Sequence, residues 1–388
     1  RFTSCCCLPN FGLFKLFVNR FNTLVLLLPV ILIGCQASTP EVDPALQISR
    51  DETQLVLNNA VLEQSNPQSD TVWKIKADNI TYSDDNQIAT LDRVVGNLWQ
   101  NGTIILKISA KAGTIEDNGN IILLNKSVIA SDPRNGSVIT SDAVEWRPQE
   151  NLLLIKAQLV GSHPNLEVTA RKGKYLTDVE KLELEEDVVA TSDRPALQLN
   201  SERLEWNVPQ GQIISPGAIN LVHFDEKQII TDRLVSDRAE LNLEQNQATL
   251  NDNIELISVN PPLQVATDFL TWNYQQRIGS TDRPIQILAR DRQVSLTGNQ
   301  GEINFPLQVA KLGGGVQGVN QPKKSGLYAQ NLTWNIDTEE VEAKGNVIYE
   351  QTEPKARLMG EKARGKLGDN NIIVTSEGKQ QVTSIIDN

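Results

Sequence analysis

One six-residue phrase returns through most of this chain at nearly constant spacing. It reads small residue, two polar residues, an apolar residue, a polar residue, then Trp or Tyr. Copies occupy 77–82, 141–146, 170–175, 201–206, 267–272 and 329–334, and weaker copies end at Ile115, Leu241 and Ile303. The phrase-final residues, from Tyr82 to Trp334, are separated by 33, 31, 29, 31, 35, 31, 31 and 31 positions. A period near 31 sustained over this length marks a repeat architecture, in which each unit buries its apolar face only by stacking on its neighbours.

Within a phrase the pattern alternates. Leu204 and Trp206 fall on one face of an extended segment, and Arg203 and Glu205 on the other. This is the signature of a strand with one buried face. Turn signals follow, as in Asp84-Asp85-Asn86, Pro148-Gln149-Glu150-Asn151, Pro209-Gln210-Gly211 and Tyr274-Gln275-Gln276. A second strand comes next, such as Leu182-Glu183-Leu184-Glu185 running into Val188-Val189-Ala190. Asp132-Pro133-Arg134-Asn135-Gly136, His163-Pro164-Asn165, Asp193-Arg194-Pro195 and Asp282-Arg283-Pro284 read as the turns that close successive units. Two strands and two turns per unit, over nine or ten units, predict an all-β chain of about twenty strands. The triple glycine at Gly313, Gly314 and Gly315, together with Lys323-Lys324-Ser325-Gly326, predicts a long loop that interrupts the repeat.

The N-terminal stretch has a different character. Residues 1–20 carry Arg1, Lys15 and Arg20 and no acid, and an apolar run from Leu24 to Gly34 precedes Cys35. A positive region, a short apolar region and a cleavage site are the parts of a secretory signal. Leu32-Ile33-Gly34-Cys35 resembles the bacterial lipobox, which implies cleavage before Cys35 and lipidation of that residue; the alternative is an uncleaved membrane anchor. Residues 1–35 are therefore expected to be a signal peptide, and 36–52, with Pro40 and Pro44, a tether. Cys5, Cys6 and Cys7 lie upstream of the cleavage point and no Cys follows Cys35. The exported form then has no disulfide and no thiol chemistry.

The whole chain has a net charge of −12, and residues 1–35 contribute +3, so the remainder stands at −15. A nucleic-acid partner would require a basic face. The two histidines, His163 and His223, sit in different repeats without a Cys or acid cluster and read as solvent-exposed turn and strand residues, not as metal ligands. Gly313 to Gly318 fits G-x-G-x-x-G by letter, but Val319-Asn320-Gln321-Pro322 cannot open the helix that a dinucleotide site needs. Glu183, Glu185, Glu186 and Asp187 alternate with Leu182 and Leu184 and read as a solvated strand face, not a calcium loop. No cofactor or metal is expected, and no constellation points to catalysis. The phrase-final aromatics have two readings: rings that fill a core, or rings that line an apolar trough for a lipid.

The folded part opens with Leu57-x-x-Ala60-x-Leu62 and continues with Trp73-x-Ile75-x-Ala77-x-x-Ile80-x-Tyr82, Ala89-x-Leu91-x-x-Val94 and Ala110-x-x-Gly113. This resembles the LptC family of periplasmic lipopolysaccharide-export proteins over about residues 53–190. Residues 191–388 resemble the related OstA/LptA β-jelly-roll modules through the repeat phrase. The resemblance implies an elongated β-jelly roll, open at both ends, whose apolar groove carries the acyl chains of lipopolysaccharide. It implies lipid received from an inner-membrane ABC transporter and passed on by strand pairing to an LptA/OstA-type or outer-membrane jelly roll. It also implies a periplasmic, non-enzymatic protein anchored at the inner membrane. The chain departs from the family in its lipobox and its length, as in a long, cyanobacterial-type form. The expected acyl-contact residues are Ile80, Tyr82, Val144, Trp146, Leu204, Trp206, Leu270, Trp272, Leu332 and Trp334. Ile372 to Thr375 is the expected terminal edge strand. The rival readings are a β-solenoid envelope scaffold, with a filled core and no lipid, and a carbohydrate-active enzyme, which would need paired acids at a constant position in the repeat.

Overall fold

A computed structural model describes residues 55–66, 70–83, 87–164, 166–366, 372–376 and 383–386. They belong to one compact unit, Glu52–Asn388. The signal segment, Cys35, the tether and the turn at residues 84–86 lie outside the described residues, as does Asn165. All 28 strands join a single antiparallel sheet, and helical structure among the described residues is limited to single turns at Asp117–Gly119 and Pro148–Glu150. The strands are best counted as passes of the chain across the sheet. Seven passes are broken midway into two short strands, as in Gln212–Ser215 with Ile219–Phe224, so 28 strands make 21 passes. Consecutive passes pair side by side, and the pairing of Lys181–Asp193 with Ala196–Asn207 continues the sheet from its first half into its second.

A lone sheet with one apolar face must cover that face with itself. The chain does so by bending every pass near its middle. In five of the unbroken passes the bend holds two consecutive residues in the left-handed region: Lys126 and Ser127, Glu186 and Asp187, Asp252 and Asn253, Gly314 and Gly315, Gly345 and Asn346. These two residues stand opposite one on the next strand, as Lys126 and Ser127 do opposite Asp142, and along the bulged strand itself the alternation stays in phase. Ile122 and Leu124 are buried before the bend and Val128 and Ala130 after it; Leu182 and Leu184 are followed in the same way by Val188 and Ala190. The facing strand keeps its inner face by a step of three instead, from Ser141 to Val144 and from Thr267 to Leu270. The predicted loop at Gly313 to Gly326 is therefore corrected. Val309–Asn320 is one continuous strand whose glycines make the bend, and only a four-residue turn follows before Ser325–Ala329. Asp282-Arg283-Pro284 is likewise a mid-pass break between Ile278–Thr281 and Ile285–Ala289, where Pro284 has no N–H to give to the ladder.

The bend explains the small residue that begins each phrase. Ser141, Ser201 and Thr267 stand there, where strand pairing stops and carbonyls lose their ladder donors. Ser141 donates to the carbonyl of Gln158 at 3.1 Å, Ser201 to that of Ala218 at 3.2 Å, and Thr267 to that of Pro284 at 2.9 Å. Ala77, Ala110, Ala170 and Ala329 supply the small size alone, and all four are buried.

Two substitutions test this construction. Thr267→Val keeps the shape and strands a carbonyl, and should cost about 1–3 kcal/mol. Trp146→Ala, at a residue with 0 % exposure, should cost about 3–5 kcal/mol. Urea unfolding of the full chain measures both, and midpoints equal to the parent's would contradict the bend and the core respectively.

Candidate functional site

The register of the sheet places all nine phrase-final residues in one inward row. The row begins at Tyr82 and passes through Ile115, Trp146, Tyr175, Trp206, Leu241, Trp272, Ile303 and Trp334 to Gly365 and Ile372. Between successive phrase ends lies one further residue, such as Ala89, Ile122, Ala248, Gly279 or Ala310, so large and smaller side chains alternate. The row is an unbroken ladder of twenty positions. None carries a charge, and the phenols of Tyr82 and Tyr175 are its only hydroxyls. At about 4.8 Å per strand it extends about 90 Å along the hydrogen-bonding direction.

The predicted contact residues all lie on this inner surface. Ile80, Val144, Trp146, Leu204, Trp206, Leu270, Leu332 and Trp334 are buried, and Tyr82 and Trp272 are half-buried. Neighbouring outward positions carry ions: Glu205 pairs with Lys181 at 2.9 Å and Arg203 at 2.9 Å. The indole N–H groups of Trp73, Trp146, Trp206 and Trp334 find no acceptor among the described residues. Each such buried donor costs about 1–3 kcal/mol, and an occupant bearing carbonyl oxygens would satisfy it.

The two long margins of the folded sheet meet along a seam closed by side chains. The contacts that cross it join residues 43–47 positions apart, about one and a half repeats. Asp132, whose side chain is 1 % exposed, ion-pairs with Arg134 and accepts a 2.8 Å hydrogen bond from the Tyr175 hydroxyl. Arg134 also reaches the Thr177 carbonyl at 2.5 Å and Glu180 at 3.4 Å. Burial, together with the neighbouring Asp132 carboxylate, pushes the Tyr175 phenol well above its ordinary range. One repeat on, His163 packs edge-on against Trp206 with ring centroids 5.3 Å apart. Further along, Asp232 faces Arg277 at 3.4 Å, and Arg292 faces Glu339 at 3.1 Å. Around Asp232, His223 Nδ1 lies 2.7 Å from the Thr231 hydroxyl and 3.1 Å from the carboxylate, and Thr231 donates to that carboxylate at 2.9 Å. Burial alone would raise the Asp232 carboxyl, but hydrogen bonds from His223 and Thr231, with the Arg277 charge, hold it below its ordinary value.

These clasps were not visible in the sequence pattern. Asp132 and Arg134 read there as turn residues, and the histidines as solvent-exposed. Both histidines are instead partly buried seam residues. Among the described residues no group of three or more His, Cys, Asp or Glu side chains is placed to hold a metal ion. Lys174 and Lys181 pair with Glu183, Lys172 with Glu186 and Arg171 with Asp187, so much of the acidic cluster is engaged in outward ion pairs. The interior is also exposed at both ends of the roll, at Leu57, Ala60, Leu62 and Tyr82, and at Leu358, Ile372 and Val374. Ile372–Thr375 does form part of the last pass, and Thr383–Ile386 completes it against the same neighbour, Lys355–Lys366.

Comparison with known proteins adds two findings. A family described as "Lipopolysaccharide-assembly, LptC-related" matches residues 23–154 and 198–321, so one description fits both halves of the chain. No curated protein sequence matches. Among solved structures, LptH of Pseudomonas aeruginosa, described as the LptA-homologous periplasmic component of the lipopolysaccharide transport device, is 14% identical with a TM-score of 0.26. The match covers 29% of this chain and 82% of that one.

The Asp232 clasp yields a pH-dependent prediction. A carboxyl held low in the fold adds stability above the ordinary aspartate value of about 3.9, and that stability is lost as pH falls from there through the lower folded value. Asp232→Asn should therefore destabilise the chain by about 1–3 kcal/mol at neutral pH. The difference from the parent should shrink below about pH 4. Denaturation curves at pH 7 and pH 3 measure this, and a constant difference would contradict it.

Proposed function

The chain belongs to the LptC-related family of lipopolysaccharide-assembly proteins, and on that premise we propose that its interior is the path along which lipopolysaccharide acyl chains cross the periplasm. The observation that carries this reading is the uncharged inward row of twenty positions, exposed at both ends of the roll. An acyl chain crossing water loses about 0.8 kcal/mol of favourable burial for each CH₂ exposed. A continuous apolar interior lets it advance from one phrase to the next without that cost. The contact residues are those of the row and its neighbours: Ile80, Tyr82, Val144, Trp146, Leu204, Trp206, Leu270, Trp272, Leu332 and Trp334. They hold and guide; the family's role is transport, not catalysis.

In this reading lipid arrives from an inner-membrane ABC transporter at the end formed by Val56–Asn66. It leaves at the end formed by Ile372–Thr375 and Thr383–Ile386. Among the described residues each terminal pass has one neighbour in the sheet, and its other margin suits strand addition by an LptA/OstA-type or outer-membrane jelly roll. Residues 53–190 act as the receiving module and 191–388 as part of the bridge. Anchoring at the inner membrane falls to lipidated Cys35 or to an uncleaved N-terminal segment.

One observation favours the scaffold reading. Around Trp146 the interior is packed closely enough that a Cβ on Gly96 would lie 3.2 Å from the indole and 3.1 Å from Ile108. Conduction requires this section to open, which the seam permits because side-chain contacts, not backbone ladder bonds, hold it shut.

The two readings separate on purification. From cells that make lipopolysaccharide, mass spectrometry of the gently extracted full chain should find that lipid in near-stoichiometric amount. Chain recovered free of it, from extractions that preserve lipid on a known carrier, would favour the scaffold.

A further inference from the structure

Apolar residues that pack against the core yet stay half-exposed fall in three places. Two are the ends of the roll. The third is its middle, at Leu166, Val208, Leu221, Leu241, Leu243 and Trp272. Here the seam is parted. On one side the His163–Trp206 contact closes it, and on the other the Asp232–Arg277 pair. Between them lies a cleft of about 270 Å³, with Leu199, Leu204 and Ile213 in its wall and Arg194 and Asn246 on opposite margins. A smaller cavity of about 60 Å³ adjoins it, lined by Trp272, Leu256 and Leu250, with the His223, Asp232 and Arg277 clasp at its seam side. It shares Leu197, Leu221, Leu241 and Tyr274 with the cleft. Both spaces exceed what a single water needs.

The charge around the cleft is as telling as its shape. The chain as a whole is strongly acidic, yet among the described residues lining the cleft there is no Asp or Glu. Its one full charge is Arg194, exposed at the rim, with the His163 ring nearby. Trp206, under that ring, is one of the tryptophans whose buried N–H has no acceptor among the described residues.

We propose that this cleft is a lateral mouth, which takes one acyl chain of an anionic amphiphile into the interior midway along the roll and holds its head group at Arg194. The proposal rests on the reading of the interior as a lipid path and adds a site that the two ends do not supply. The chain passes between Leu197, Leu221 and Leu241 and ends beneath Trp272. The carboxylate or phosphate of the head stays in water, paired with the guanidinium. A free fatty acid and the export lipid share this chemistry.

The test uses the full chain and 12-bromododecanoate, whose bromine quenches indole fluorescence from the far end of the tail. Quenching should saturate, and Trp272→Phe should remove the larger part of it. Arg194→Glu, at an exposed position, should weaken half-saturation about tenfold, as loss of a charge-assisted contact predicts. Quenching left unchanged by both substitutions would mean that the tail enters elsewhere, which overturns the mouth and spares the lipid path. Absence of quenching in chain that still co-purifies with lipopolysaccharide would also overturn the mouth alone. Absence of both would overturn the lipid path with it. In the saturated complex, displacement by purified lipopolysaccharide identifies the export lipid as the source of the chain. A lack of displacement identifies free fatty acid, and either result upholds the mouth.

Discussion

A single sheet with one greasy face and no second layer to cover it governs everything else in this molecule. Burying that face requires each pass to bend back over its own inner surface without exchanging inside for outside. In five of the unbroken passes two residues in the left-handed region do this, at a conformational cost of about 1–2 kcal/mol per non-glycine residue. The apolar burial of each half-pass repays it. Seven other passes break midway, and serine or threonine hydroxyls on their neighbours supply donors that the interrupted ladder no longer provides. The small residue opening each phrase, the alternation inside it and the ring closing it thus describe one path: corner, wall and deep interior.

The repeat and its alternation made the all-β class, the approximate number of passes and the shared face of Leu204, Trp206 and their equivalents legible in the sequence. Local pattern suffices for these, because strand periodicity is a property of neighbouring residues. The bends were less legible. Lys126-Ser127 and Glu186-Asp187 carry no glycine to announce a left-handed conformation, while Gly314-Gly315, which does, resembled a loop. Asp282-Arg283-Pro284 has the composition of a turn between strands but breaks a pass in the middle. The phrase position at Gly365 was missed because glycine stands where an aromatic stands elsewhere. The seam was invisible for a different reason. Asp132 with Tyr175, or Asp232 with Arg277, lie more than forty residues apart, and only the three-dimensional stagger of the sheet brings them together.

The seam divides what is permanent in this fold from what can yield. Ladder bonds between passes are numerous and shielded, and losing them would unfold the sheet. The clasps across the seam are individual ion pairs and ring contacts, each worth far less than a strand pairing. A roll held in this way has a cross-section that is free to adjust at constant length, which the proposed path for acyl chains requires. The same division accounts for a close-packed interior near Trp146 and a looser one around Leu221 and Leu241 within one repeating pattern.

The central claim is that the inward row touches lipid. Site-specific photo-cross-linking in lipopolysaccharide-producing cells tests it most directly, with the probe at Leu204, which is 2 % exposed on the inner face, and at its outward neighbour Glu205. The account predicts a lipopolysaccharide adduct at Leu204 and none at Glu205. Adducts at neither position, nor at the matching pairs Leu270 and Thr271 or Leu332 and Thr333, would contradict it and leave the row as the packed core of a scaffold.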